Sequence, residues 1–156
     1  GLLALGSGMQ ILAHDPFINQ VSLNFDIQGQ TFLIPVPMVS LEEGLQSADY
    51  ISMHSPFDGN QILTKSRFAL MKKTACVINT SRGENLDEIA LLEALNTGQL
   101  AGAGLDVFQN EPEVNTQLFN HPKISVSPHI GASTLDAQQR IAEELVAQIV
   151  SLYNQS

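Results

Sequence analysis

Ala75-Cys76-Val77-Ile78-Asn79, then Leu86 to Thr97, then Ala101-Gly102-Ala103-Gly104-Leu105-Asp106-Val107 is the stretch that decides the fold. The first and third pieces are short runs with few polar positions, the mark of strands buried on both faces. Between them Ile89, Leu92 and Leu95 fall on one helical face, and Gly98 supplies the left-handed residue that stops a helix. A strand, a helix and a second strand in this order predict a parallel pair with a crossover helix.

The same alternation extends outward. Tyr50 to Met53 reads as a strand, preceded by a short helix with Ser40 at its N-cap, Glu42 and Glu43 in its first turn and its end near Ser47. Lys65 to Met71 reads as a short helix and Ile124 to Val126 as a strand. Thr134 is placed to cap a long helix in which Ile141, Leu145, Ile149 and Leu152 recur at helical spacing. Toward the start, Leu2, Leu3 and Leu5 followed by Gly6 suggest the last turn of a helix, Met9 to His14 a buried strand, and Thr31 to Val36 a weaker one. The predicted fold is α/β, a Rossmann-type parallel sheet with helices on both faces.

Composition narrows the function. The 156 residues are 44% hydrophobic and 15% charged, enough for one domain core, and the net charge of -9 disfavours nucleic acid and anionic membrane as partners. No apolar run approaches the roughly 18 residues a transmembrane helix needs, and there is no basic, apolar leader, so the cytoplasm is the expected compartment. The single cysteine, Cys76, lies in an apolar run and reads as a small core residue. No pair of histidines has metal-ligand spacing, and no metal is expected.

Gly6-Ser7-Gly8 is not read as a dinucleotide phosphate loop. Such a loop follows a strand and opens a helix, whereas here the glycines end a helix and Ile11 stands where a third glycine belongs. Asp15 fits an acidic residue that accepts hydrogen bonds from an adenosine ribose, normally about 20 residues after the glycine loop. Only 14 residues precede it, so on that reading the first strand and the loop lie before residue 1; the alternative is a turn residue before Pro16.

Three polar segments stand where strands end, the place where open parallel sheets bind ligands. Asn79-Thr80-Ser81-Arg82-Gly83 presents a guanidinium suited to a carboxylate or a carbonyl oxygen, or else a surface arginine beside the next helix. Asp106 ends its strand with Glu111 five residues on, and Pro128-His129-Ile130-Gly131-Ala132-Ser133-Thr134 follows the last strand. His129 is either an ordinary loop residue or an acid/base, and a carboxylate partner such as Glu111 would fix its tautomer and favour proton donation.

These pieces together resemble the D-isomer-specific 2-hydroxyacid dehydrogenase family from about Gly8 to about Tyr153. The matching segments are Asp15-Pro16, Ser47 to Pro56, Leu70-Met71-Lys72, Ile78 to Gly83, Gly104 to Phe108 with Glu111-Pro112, and Pro128 to Thr134. The last, continuing through Leu135-Asp136-Ala137-Gln138, is most similar to the D-3-phosphoglycerate dehydrogenase branch. The resemblance implies that Arg82 binds the substrate carboxylate and carbonyl, that His129 is the acid/base, and that Glu111 is its partner. It further implies a cofactor site formed by Asp15, Ser55, Thr80, Ser81, Arg82, Asp106, His129, Gly131 and Ala132, with NAD favoured over NADP because a carboxylate at Asp15 would repel a 2′-phosphate.

The expectation is therefore a partial dinucleotide-binding domain over 1–156, with the first strand, the glycine loop and the substrate domain absent. Its substrate would be a small 2-hydroxy or 2-keto acid, with phosphoglycerate favoured and serine biosynthesis as the setting. The isolated chain is expected to have little or no activity and to associate as a homo-oligomer. The competing reading is an NAD-sensing regulatory or corepressor-like module on the same scaffold. A hydrolase using Ser81 or Ser133 lacks the glycine-flanked nucleophile turn.

Overall fold

In the computed structural model, which describes residues 1–153, six strands and six α-helices follow the chain. In order they are α1 (Leu2–Gly6), β1 (Val21–Ile27), β2 (Gln30–Val36), α2 (Leu41–Ser47), β3 (Tyr50–Met53) and α3 (Lys65–Phe68). There follow β4 (Cys76–Asn79), α4 (Glu88–Asn96), β5 (Gly102–Leu105), α5 (Thr116–Phe119), β6 (Ile124–Val126) and α6 (Leu135–Tyr153). Strands β3, β4, β5 and β6 lie side by side in sequence order, every pairing parallel. Because neighbouring parallel strands start on the same side, their carboxyl ends, at Met53, Asn79, Leu105 and Val126, share one edge.

The register sorts side chains by alternation. Ile51, Val77, Ala103 and Ile124 stand in one row and Met53, Asn79 and Leu105 in the next. These rows join Leu45 of α2, Phe68 of α3, Leu91 and Leu95 of α4, and Leu118 of α5 in one apolar core, Asn79 excepted. On the other face Cys76, Ile78, Gly102 and Gly104 are half-buried, and with Tyr50 and Ile124 the first three line a shallow depression. The predicted parallel α/β sheet with helices is thus present, but α2 to α5 pack their apolar side chains into one core on one face and the expected cover of the other face is incomplete.

Local chemistry sets the helix starts. Ser40 caps α2 in a capping box: its Oγ accepts from the Glu43 N–H at 3.2 Å while the Glu43 carboxylate accepts from the Ser40 N–H. Asp87 caps α4 by accepting from the Ala90 N–H at 3.0 Å. Thr134 Oγ1 accepts from the Ala137 N–H at 3.2 Å at the start of α6.

Three local expectations change. Met9 to His14 is not a regular strand; only Ala13 bridges, to Met38, donating to Pro37 O and accepting from the Val39 N–H. The neighbouring segment holds Pro35 and Pro37, which have no N–H to give to a ladder. Thr31 to Val36 is extended, but it belongs to an antiparallel hairpin with Val21–Ile27, separate from the parallel sheet. The turn places Gln28 and Gly29 at φ 50° and 80°, and Phe25 stacks on Phe32 across it. In α4 Ile89 is 77% exposed, and the buried face is made by Glu88, Leu91, Leu92 and Leu95, spaced three, four and seven residues apart.

The core predicts its own test. Phe68→Ala should destabilise the fold by about 3–5 kcal/mol in denaturant titration, whereas Ile89→Ala should change it by less than about 0.5 kcal/mol; equal losses would contradict this assignment of the α4 face.

Candidate active site

At the carboxyl edge of the sheet three loops are built by buried polar side chains. After β4, Asn79, only 1% exposed, accepts from the Ser81 N–H at 3.1 Å and the Ser81 hydroxyl at 2.9 Å, and its Nδ2 donates to Arg82 O at 2.9 Å. This ties Thr80-Ser81-Arg82 into a fixed turn and occupies the Ser81 side chain, leaving Thr80 and Arg82 exposed. The Arg82 Nη1 donates to Ser81 O at 2.6 Å.

After β5, both oxygens of Asp106 work inside the protein. Oδ1 accepts from the Ser127 hydroxyl at 2.6 Å and the Ile130 N–H at 3.0 Å, and Oδ2 accepts from the Gly131 N–H at 2.9 Å. Burial pushes the Asp106 carboxyl up, but these three donors and the charge of His129 outweigh it and hold the group below its ordinary value. Asp106 thereby fixes the loop after β6, on which His129 sits in the left-handed region at φ 53°.

That loop brings His129 to Glu111. Nδ1 and Oε2 are 2.7 Å apart, and Glu111 Oε1 accepts from the Phe108 N–H at 2.8 Å. The His129 hydrogen bond, with the Phe108 N–H, holds the Glu111 carboxyl below its ordinary range against partial burial. The Arg82 loop meets the Glu111 loop through backbone: a Cβ built on Gly83 would overlap the carbonyl carbon and oxygen of Phe108. Hence the loops bearing Arg82, Glu111 and His129 adjoin at one edge.

The other expected residues are placed unequally. Ser55 follows β3 on the same edge, and its carbonyl accepts from Asn85 Nδ2 at 2.9 Å. Gly131 and Ala132 form the turn that Asp106 and Gln138 hold, the latter through Ala132 O at 2.8 Å. Asp15 lies on an exposed turn after the Ala13 bridge, where Oδ1 accepts from the Phe17 and Ile18 N–H groups at 2.8 and 3.2 Å. Both expected readings of Asp15 are compatible with this, since the turn uses Oδ1 and, among the described residues, Oδ2 makes no hydrogen bond. Gly6 ends α1 with Gly8 beyond it at φ 79°, so these glycines open no helix. Asn79, Asn85, Glu88 and Ser127 were not singled out from sequence. For Asn79 the signal was there, an asparagine at the end of an otherwise apolar strand.

Among the described residues, no group of three or more His, Cys, Asp or Glu is placed to hold a metal, and no helix is long and apolar enough to cross a membrane.

A parallel sheet in sequence order, with its polar loops gathered at the carboxyl edge, is a Rossmann-type dinucleotide-binding architecture. Residues 2–131 match the model of the D-isomer specific 2-hydroxyacid dehydrogenase NAD binding domain, and the chain belongs to that family. It is 41% identical over 148 residues to D-3-phosphoglycerate dehydrogenase of Sus scrofa, covering 93% of this chain and 26% of the relative. It is 38% identical to the Bacillus subtilis D-3-phosphoglycerate dehydrogenase, with 92% and 26% covered. Against hydroxypyruvate reductase of Thermotoga maritima the identity is 37%, with 94% and 46% covered. Among solved structures, a glyoxylate reductase from Paecilomyes thermophila superposes with a TM-score of 0.76 at 29% identity, covering 96% of this chain and 44% of that one. D-lactate dehydrogenase with NAD+ from Lactobacillus jensenii gives 0.75 at 25% identity, covering 99% and 48%. The chain therefore spans about a quarter of the length of the phosphoglycerate dehydrogenases it matches.

The carboxylates give the site a pH dependence of known sign. Asp106 and Glu111 bind fewer protons folded than unfolded, so their stabilisation is present above the ordinary carboxylate range and lost as pH falls through their lowered values. Melting temperature should fall as pH drops below about 4, and Asp106→Asn should flatten that fall. Gly83→Ala should cost at least about 1–3 kcal/mol from overpacking against Phe108, measured by chemical denaturation.

Proposed function

We propose that this chain is the cofactor-binding part of an NAD-dependent oxidoreductase that moves a hydride between a D-2-hydroxy acid and NAD, with D-3-phosphoglycerate as the substrate. The observation that carries the reading is the 2.7 Å His129–Glu111 bond on a loop edge shared with Arg82. Family membership supports NAD, and the two phosphoglycerate dehydrogenases at 41% and 38% identity support the substrate.

The residues fit the cofactor at the ribose and nicotinamide sides. Asp15 keeps Oδ2 for a ribose hydroxyl, and Thr80 is exposed at the strand end. NAD, when bound, supplies the acceptor for the hydride. The protein's part is proton transfer and charge. With Glu111 ionised, the Nδ1 proton of His129 lies in the bond to Oε2, which fixes the tautomer and leaves Nε2 as the working nitrogen. In oxidation Nε2 takes the substrate hydroxyl proton as the C–H electron pair leaves; in reduction the protonated imidazole returns it to the new alkoxide oxygen. Arg82 spends one nitrogen on Ser81 O and offers its remaining donors to the substrate carboxylate and to the oxygen on which charge develops.

Self-association belongs to the same proposal. It is supported by the half-open sheet face and by Ile141, Leu145, Ile149 and Leu152 of α6, each more than half exposed; light scattering of the purified chain should give a mass above the monomer.

In an enzyme carrying this domain, Arg82→Ala should lower kcat/KM at least about 100-fold, roughly 2.7 kcal/mol of transition-state stabilisation. Wild-type turnover would remove the assigned role. The isolated chain with NAD and D-3-phosphoglycerate should show no turnover above background in a nicotinamide absorbance assay.

A further inference from the structure

Glu88 is the most puzzling charged residue of the domain. It is the first residue of α4, only 5% exposed, and burial pushes its carboxyl up, partly offset by one backbone N–H. Burying a carboxylate is costly. Helix capping does not account for it, because Asp87 already supplies the cap of α4. The bond that Glu88 makes is long in sequence: Oε1 accepts from the Gln109 N–H at 2.7 Å.

Gln109 is gripped a second time, its Nε2 donating to Leu86 O at 2.7 Å. The residue before it, Phe108, rests on Gly83 with no room for a side chain between them, and donates its N–H to Glu111 Oε1. Asn110, next in line, is at φ 58°. The turn over 108–111 is therefore fastened from below by the α4 start, from the side by the Arg82 loop, and from within by Glu111 itself. Its free end is the Glu111 carboxylate on His129.

We propose that Glu88 is a positioning residue: through the Gln109 N–H it fixes the turn over 108–111 and so holds the Glu111 carboxylate on His129 Nδ1. It touches neither substrate nor cofactor. What it sets is the geometry of the proton-transfer pair relative to Arg82, through the shared contact of Gly83 and Phe108. This deepens the dehydrogenase reading and rests on it for its purpose, but the linkage itself is testable without turnover.

The test is the titration of the Glu111 side-chain carboxyl, followed by carbon NMR in the 156-residue chain and assigned with Glu111→Gln. The groups acting on Glu111 are the His129 ring, the Phe108 N–H and, by repulsion, Asp106. Glu88→Ala should move the Glu111 titration upward toward that of a free glutamate, because the turn loosens and both hydrogen bonds weaken. The direction is diagnostic. Removing a neighbouring negative charge would by itself move Glu111 downward, and a purely structural role would lower the melting temperature and leave Glu111 where it was.

Glu88→Gln keeps a carbonyl oxygen for the Gln109 N–H while removing the charge, so the Glu111 titration should stay at or slightly below its wild-type position and not rise. Glu88→Asp draws the carboxylate back by one methylene from the Gln109 N–H and should shift Glu111 upward as alanine does, and it decides the matter if Glu88→Ala does not fold. An unchanged or downward Glu111 titration in folded Glu88→Ala or Glu88→Asp, or a glutamine variant that behaves like alanine, would overturn the proposal. Failure of the dehydrogenase reading would show instead as normal turnover in Arg82→Ala, with these titrations unaffected.

Discussion

The site depends on one backbone contact. Where Gly83 follows Arg82, the chain passes so close to the Phe108 carbonyl that only a hydrogen fits between them. Two loops that leave adjacent parallel strands are thereby pressed together. Strand pairing alone sets their roots about 4.8 Å apart but says nothing of what the loops do beyond the last ladder bond. Glycine at this position converts neighbouring strands into neighbouring functional loops.

Around that contact the buried polar side chains follow a single logic. Among the described residues they are Asn79, Asn85, Glu88 and Asp106, and each holds a loop of the carboxyl edge. Asn79 shapes the Arg82 turn, Asn85 donates to the carbonyl of Ser55, Glu88 holds Gln109, and Asp106 collects Ser127, Ile130 and Gly131. Buried polar groups are tolerated when their hydrogen bonds are made, and here those bonds go mainly to loop backbone, although among the described residues Asn85 Oδ1 is buried without a partner. The apolar core beneath is supplied by α2 to α5 and the inner row of strand residues, so stability and site construction are separated by layer.

Away from this edge the domain is less tightly determined. The hairpin of β1 and β2 stands apart from the parallel sheet, and the segment that carries Asp15 is fastened by the Ala13 bridge, the His14 Nδ1 bond to Val39 O and its own turn. An isolated two-stranded hairpin is marginal alone. This one is steadied by the stacking of Phe25 on Phe32 and by the approach of Gly1 to the Leu23 side chain.

The parallel β–α–β core was legible in the amino-acid sequence, since short apolar runs such as Ala75 to Asn79 and Ala101 to Val107 around a helix suit such a sheet, and caps such as Ser40 and Thr134 act within four residues. The sequence also marked Arg82, Glu111 and His129 as residues at strand ends. Alternation at Val21, Leu23, Phe25 and Ile27 before Gln28-Gly29 held the hairpin signal, but pairing partner and sheet membership are not local properties. It took the folded arrangement to show that Met9 to His14 makes a single bridge, that Ile89 faces solvent, that Asp106 spends both oxygens on the His129 loop, and that Glu88 reaches Gln109. The physical reason is range: periodicity and capping are set by neighbours along the chain, whereas which buried carboxylate meets which loop N–H depends on how separate strands bring their ends together.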